Sequence, residues 1–196
     1  MATRYSLFQE RWQGCTSCHL HKNRQHVVLA RGSIPCDVLF VGEAPGVSED
    51  SIGIPFIGPA GKLLDYIRSR AIGSANVSWA MTNLVCCIPL GENGNKTGEP
   101  SEEYIRACSV RLYEFLEISR PKLMIAVGSL ARDFLEQGYK YSLNIPNREV
   151  LQVSIIHPAA ILRSNVAQQG LAVQRCVITI SNALEEMLER IRERKV

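Results

Sequence analysis

Short apolar runs alternate with helical patterns along this chain, and that alternation narrows the possible folds more than any other feature. The pairs are residues 37–42 then 60–71, 79–85 then 102–118, 123–128 then 130–137, and 150–156 then 172–194. Strands separated by helices need crossover connections, which suit parallel pairing. The expected fold is therefore α/β: a three-layer αβα domain around a central, mostly parallel four-stranded sheet. Leu63, Leu64 and Ile67 share one face of the first helix, and Ile105, Cys108, Leu112 and Leu116 share one face of the second, as helices covering a sheet must. Ser101 is placed to cap that second helix, with Glu102 and Glu103 favourable in its first turn. In the last helix Leu184, Met187, Leu188 and Ile191 lie on one side, which predicts sheet packing rather than a partner surface, and a monomer is expected.

In open α/β sheets ligands bind at the carboxyl ends of the strands. The residues there are unusual. The first strand runs into Gly42-Glu43-Ala44-Pro45-Gly46, the second carries Thr82-Asn83, the third ends at Gly128-Ser129, and the fourth runs into His157-Pro158. Taken singly, the Gly-Pro segment is an ordinary turn and the histidine an ordinary surface residue. Gathered at one sheet edge, glycines, a carboxylate, an amide and an imidazole argue for a polar site. Phe56 stands in Gly53-Ile54-Pro55-Phe56-Ile57-Gly58-Pro59, too rich in Gly and Pro for a strand or helix interior. Such a loop either packs under the core or holds an aromatic ring for stacking on a flat ligand.

The chain has seven cysteines, an odd number that fits a disulfide scaffold poorly. Residues 1–13 lack the apolar stretch of a signal peptide and no later run could span a bilayer, so a cytoplasmic protein without membrane association is expected. Cys15 and Cys18 form a Cys-x-x-Cys pair, and Cys87 and Cys108 follow at a distance. Two close and two distant thiolates suit a zinc ion or an iron–sulfur cluster equally. Cys36, Cys86 and Cys176 fall in apolar patterns and read as buried residues. Of the adjacent pair, Cys87 is the expected ligand, because alternation along an extended run turns Cys86 the other way and Cys87 stands just past the strand. The formal charge of +3 permits nucleic-acid binding without arguing for it.

Taken in order, these blocks resemble the family 4, iron–sulfur uracil-DNA glycosylases: the Cys-x-x-Cys pair, residues 41–46, residues 55–65 (Pro-Phe-Ile-Gly-Pro-Ala-Gly-Lys-Leu-Leu-Asp), Thr82-Asn83-Leu84-Val85-Cys86-Cys87, Ala107-Cys108, and His157-Pro158-Ala159-Ala160-Ile161-Leu162-Arg163. The resemblance implies one glycosylase-like domain over residues 1–196, with residues 1–36 contributing ligands to a [4Fe–4S] cluster held by Cys15, Cys18, Cys87 and Cys108. It implies a monofunctional hydrolase that flips a pyrimidine, uracil first of all, out of single- or double-stranded DNA and leaves an abasic site. By matching positions, Phe56 stacks on the flipped base, Asn83 reads its Watson–Crick edge, and His157 stabilises negative charge on the base oxygen. Gly42 and Ala44 border the base, Glu49 sits at its C5 edge to exclude thymine, and Leu162, Arg163 and Ser129 meet the DNA. An aspartate used elsewhere in the superfamily is replaced by Ala44, leaving Glu43 as the candidate to orient the attacking water.

The pattern departs from the family at residues 91–100, which lengthen the stretch between Cys87 and Cys108, and between Leu135 and His157, which is shorter. Ser164 and Asn165 follow Arg163 where Asn-Pro or Asp-Pro is usual. Two alternatives follow: the same hydrolysis on a hypermodified pyrimidine of bacteriophage DNA as antiviral defence, or an inactive DNA-binding or replication-partner module.

Overall fold

The computed structural model describes residues 2–89, 98–142 and 150–194. Its elements in chain order are α1 (Arg4–Gln13), a 3-10 turn (His19–Lys22), β1 (Ala30–Gly32), β2 (Val38–Gly42), α2 (Val47–Ile52), α3 (Pro59–Ile72), β3 (Trp79–Asn83), α4 (Glu102–Ser119), β4 (Leu123–Val127), α5 (Ser129–Ser142), β5 (Leu151–Ile155), α6 (Pro158–Arg163) and α7 (Val166–Glu193). The sheet order is β1-β3-β2-β4-β5. The expected strands β2, β3, β4 and β5 pair in parallel. The sheet has five strands rather than four, because β1 pairs antiparallel with β3, Arg31 opposite Met81. Its sequence, Ala-Arg-Gly, has no apolar run, so periodicity could not reveal it; a short edge strand needs only one partner.

The alternation of side chains in β2 builds both cores at once. Leu39 and Val41 join Ala80, Met124 and Ala126 beneath α1, α4 and α5, where Phe8, Leu112, Phe115 and Leu135 pack. Val38 and Phe40 join Met81, Ile125 and Val127 beneath α3, α6 and α7, where Leu64, Ile67, Ile161, Ile180 and Leu184 pack. Each large aliphatic side chain buried this way contributes about 1.5–3 kcal/mol of transfer free energy. The result is the three-layer arrangement that the helix faces implied.

At the amino ends of the strands, Asp37 accepts from Ser78 N and Oγ and from Lys122 Nζ at 2.6 Å, tying the starts of β2, β3 and β4 together. With that end fixed, the carboxyl ends are held in register for chemistry. β3 stops at Asn83, two residues before the apolar run ends, and Leu84 N and Val85 N still bond Gly42 O and Glu43 O at the end of β2. Ser101 is the N-cap of α4, but its side chain makes no capping bond; Glu102 instead pairs with Arg106 at 2.7 Å. Of the departing loop 91–100, residues 91–97 lie outside the described residues, as do 143–149 of the shortened stretch before His157. No helix among the described residues is long and apolar enough to cross a membrane.

Candidate active site

Two glycines at strand ends bring the distant candidates together. Gly42 closes β2 opposite Asn83 in β3, and a Cβ built on Gly42 would collide with both the Phe56 ring and the Asn83 amide oxygen. Absence of a side chain there lets ring and amide share one spot. Gly128 follows β4 with φ +101°, a conformation only glycine adopts without strain, and a Cβ on it would meet the Glu43 carboxylate and crowd His157. Gly42 and Glu43 are neighbours in sequence, so Phe56 with Asn83 and Glu43 with His157 form two adjoining pairs.

Phe56 is held in a strained backbone. Its φ is +57°, a left-handed conformation costing about 1–3 kcal/mol outside glycine. Three contacts impose it. The Phe56 carbonyl lies against Gly61 of α3, where any side chain would clash. It also accepts from Arg31 Nη2 at 3.1 Å, and Arg31 is anchored by Asp65 at 2.9 Å. On the far side, the Glu49 carboxylate accepts from Ile57 N at 3.0 Å and Gly58 N at 2.8 Å, and from Gly46 N at 3.2 Å. The side chain expected at a C5 edge thus uses its oxygens to strap the Gly46 turn to the phenylalanine loop.

His157 is the N-cap of α6, and its Nδ1 accepts from Ala159 N at 3.2 Å. A backbone amide can only donate, so in the neutral ring the proton sits on Nε2, which remains a donor. Burial lowers the His157 pKa, and Arg163 lowers it further, so the neutral ring is favoured. Glu43 moves the other way: burial raises its pKa, Glu99 adds to the rise and Arg163 opposes it. Both residues line a cleft with Gly128, Ser129, Arg132 and Arg163. Ser129 and Arg163 therefore stand at the same mouth, while Leu162 is 42% exposed beside it. Phe56 and Asn83 are not among the residues lining that cleft: they are 7% and 2% exposed, packed behind it over Gly42. Ala44 is half-buried against the α4 side of the sheet.

A second cluster forms at the exit of β3. Cys15, Cys18, Cys86, Cys87 and Cys108 line one small cavity with Arg24 and Arg111. The strand ends before Cys86, so strand alternation does not separate the two neighbouring thiols, and both reach this cavity. They differ in surroundings. Cys87 Sγ accepts from Arg24 Nη1 at 3.4 Å and feels the charges of Cys108 and Cys18. Cys86 is turned toward Leu29 O and Cys108. Burial pushes the Cys87 thiol up to about 11 and also raises Cys18, whereas Cys108 is held well below the ordinary thiol range by its hydrogen bond with Cys86, aided by Arg111. Unpaired thiols around one cavity, with two guanidiniums to offset thiolate charge, are a donor set fit for an iron–sulfur group. Among the described residues, no three of His, Cys, Asp and Glu are grouped to hold a single ion. Cys36 and Cys176 are buried in opposite cores.

Residues 30–189 match the Uracil DNA glycosylase superfamily. The chain belongs to that superfamily. Within it the chain groups with the type-4 enzymes: it is 34% identical to the Type-4 uracil-DNA glycosylase of Thermotoga maritima over 84% of this chain and 88% of that protein. It is 32% identical to the Saccharolobus solfataricus enzyme of the same name, over 80% and 76% of the two chains. The Pyrobaculum aerophilum enzyme of that name is 35% identical, over 77% and 81%.

For a member of the uracil-DNA glycosylase superfamily, sequence reasoning missed two arginines. Arg31 meets Asp65 across 34 positions, and no local pattern signals such a pair. Arg111 carried a signal: it lies three residues after Cys108 on the covered face of α4, where a charged side chain needs a reason to be buried.

Proposed function

We propose that the protein hydrolyses the N-glycosidic bond of uracil flipped out of DNA, leaving an abasic site. The observation that carries this reading is the meeting of Phe56 and Asn83 over Gly42, adjoining Glu43 and His157 over Gly128. A planar base needs a ring face and an edge reader, and bond cleavage needs a donor where negative charge develops. Phe56 stacks on the base, Asn83 pairs with its Watson–Crick edge, and Gly42 and Ala44 border it. Neutral His157 donates from Nε2 to the base oxygen as the glycosidic electrons depart. Glu43 orients the water that captures the sugar cation, and its position across Gly128 from His157 supports that role. Glu49 acts on base choice through the loop it straps, limiting space at the C5 edge. Leu162, Arg163 and Ser129 meet the DNA at the cleft mouth, with Leu162 exposed enough to occupy the space the base leaves.

Cys15, Cys18, Cys87 and Cys108 would hold a [4Fe–4S] cluster, which supplies a cross-link between the N-terminal segment, the exit of β3 and α4 rather than electrons for hydrolysis. Residues 1–36 belong on this reading to one domain with the rest, and the protein works as a monomer in the cytoplasm.

The test incubates the purified protein with duplexes containing a single uracil, thymine or cytosine and scores alkali-labile abasic sites. Cleavage at uracil alone is expected. An iron-loaded protein that binds the uracil duplex and leaves it uncut would overturn the reading.

A further inference from the structure

Arg111 is a buried cation that the base-release chemistry does not use. It is 1% exposed, and its guanidinium cannot shed its proton. Nη1 donates to Thr82 Oγ1 at 3.1 Å; Nη2 donates to the carbonyls of Asn83 at 2.6 Å and Leu84 at 2.9 Å and approaches Cys108 Sγ at 3.8 Å. A charge removed from water needs a counter-charge, and on its other side Arg111 lines the cavity of Cys87 and Cys108, with Nη2 reaching toward Cys108 Sγ. One side chain therefore joins the cysteine cavity to the backbone of the base-reading residue. The same backbone is shared with the site's other half, since Leu84 N donates to Gly42 O at 2.9 Å and Val85 N to Glu43 O at 3.0 Å.

We propose that Arg111 is a positioning residue through which the occupied cysteine site holds Asn83, and with it the Gly42-Glu43 turn, in the geometry that reads the base. This rests on the reading above, that Cys15, Cys18, Cys87 and Cys108 hold a cluster and Asn83 contacts the base. The thiolates neutralise Arg111, which frees its donors to lock the carbonyls of Asn83 and Leu84 at the end of β3. Without them the guanidinium draws water or moves toward solvent, and the lock on those carbonyls loosens.

Two experiments test this. In the wild-type protein, stripping the iron with a chelator and following hydrogen exchange should speed exchange at the Leu84 and Val85 amides by about tenfold or more, while the amides of β4 stay protected. Unchanged protection at Leu84 and Val85 after iron loss would overturn the proposal. Alongside, Arg111→Lys keeps the charge and Arg111→Gln keeps an amide donor without it. The lysine variant should retain iron and its visible absorption, while the glutamine variant should lose most of its iron and release uracil more slowly at unchanged duplex affinity. A glutamine variant with full iron and full rate would overturn it too. Should both variants fail to fold, the wild-type exchange measurement still decides. Wild-type protein that cuts uracil yet shows iron-independent exchange removes the strut alone; wild-type protein that cuts no uracil removes the reading beneath it.

Discussion

The loop around Phe56 meets Asn83 over Gly42 and the cavity around the cysteines reaches it through Arg111, yet the two regions are stabilised differently. In the loop, the strained carbonyl of Phe56 is met by Arg31 and the following amides by Glu49, while Asp65 balances Arg31. Its polar partners come from the protein itself. At the cysteines, the fully buried Arg111 donates to the carbonyls of Asn83 and Leu84 and approaches Cys108 Sγ, while burial pushes the neighbouring Cys86 and Cys87 thiols toward the neutral form. Folding alone can build the first region, whereas the second needs its thiols ionised, which a bound metal group secures. The dependence between the two regions therefore runs one way: changes in the loop should alter chemistry and leave iron, whereas changes at the cysteines should alter iron first and reach Asn83 through Arg111.

The largest effect expected on that one-way dependence comes from the site itself. Asn83→Ala and His157→Ala should each lower single-turnover uracil release by about 10²–10³-fold with iron content unchanged. Equal turnover in either variant would reject its assignment. On the other side of the comparison, Cys87→Ala should cost most of the visible chromophore and much of the soluble yield, whereas Cys86→Ala should keep its iron. Should Cys86→Ala be the variant that loses iron, the ligand set moves by one residue.

A smaller effect is expected from the strap. Glu49→Ala leaves three backbone amides without their acceptor, at about 1–3 kcal/mol for such groups, and should slow uracil release by about tenfold while iron and chromophore persist. Loss of iron in this variant would break the one-way dependence between the two regions. The smallest effect is one of pH. The folded protein binds a proton at Glu43 more readily than an exposed carboxylate does, so the rate should fall on the acid side at a higher pH than an exposed glutamate would give. Neutral His157 persists to lower pH than a free imidazole, because its pKa is depressed. Glu43→Gln should leave a reduced rate without that acid limb; an identical pH profile would remove Glu43 from the role of water-orienting base.

Legibility in the sequence followed the range of the signal. The parallel strands and their covering helices were readable because their apolar periodicity is local, and so was the gathering of Gly42, Asn83, Gly128 and His157 at one sheet edge, which follows from topology. β1 was not, because a three-residue edge strand carries no periodicity. The setting of the β3 exit was also hidden: Arg111 reaches back from α4 to the carbonyls of Asn83 and Leu84, contacts across 28 and 27 positions. The strap formed by Glu49 spans only three to nine positions, but was invisible because what its carboxylate accepts depends on the path of the loop that Gly61 and Arg31 contact.

Phe56 and Asn83 sit behind the cleft that Glu43 and His157 line, so the decisive measurement is whether a base reaches all of them together. A crystal structure of His157→Ala bound to a duplex containing one uracil should show that uracil extruded, its face on Phe56 and its edge within hydrogen-bond distance of Asn83, with the vacated side chain's position next to the base oxygen. A uracil still stacked in the helix, or seated in the cleft with Phe56 and Asn83 out of contact, would contradict a base-excision site built from these residues.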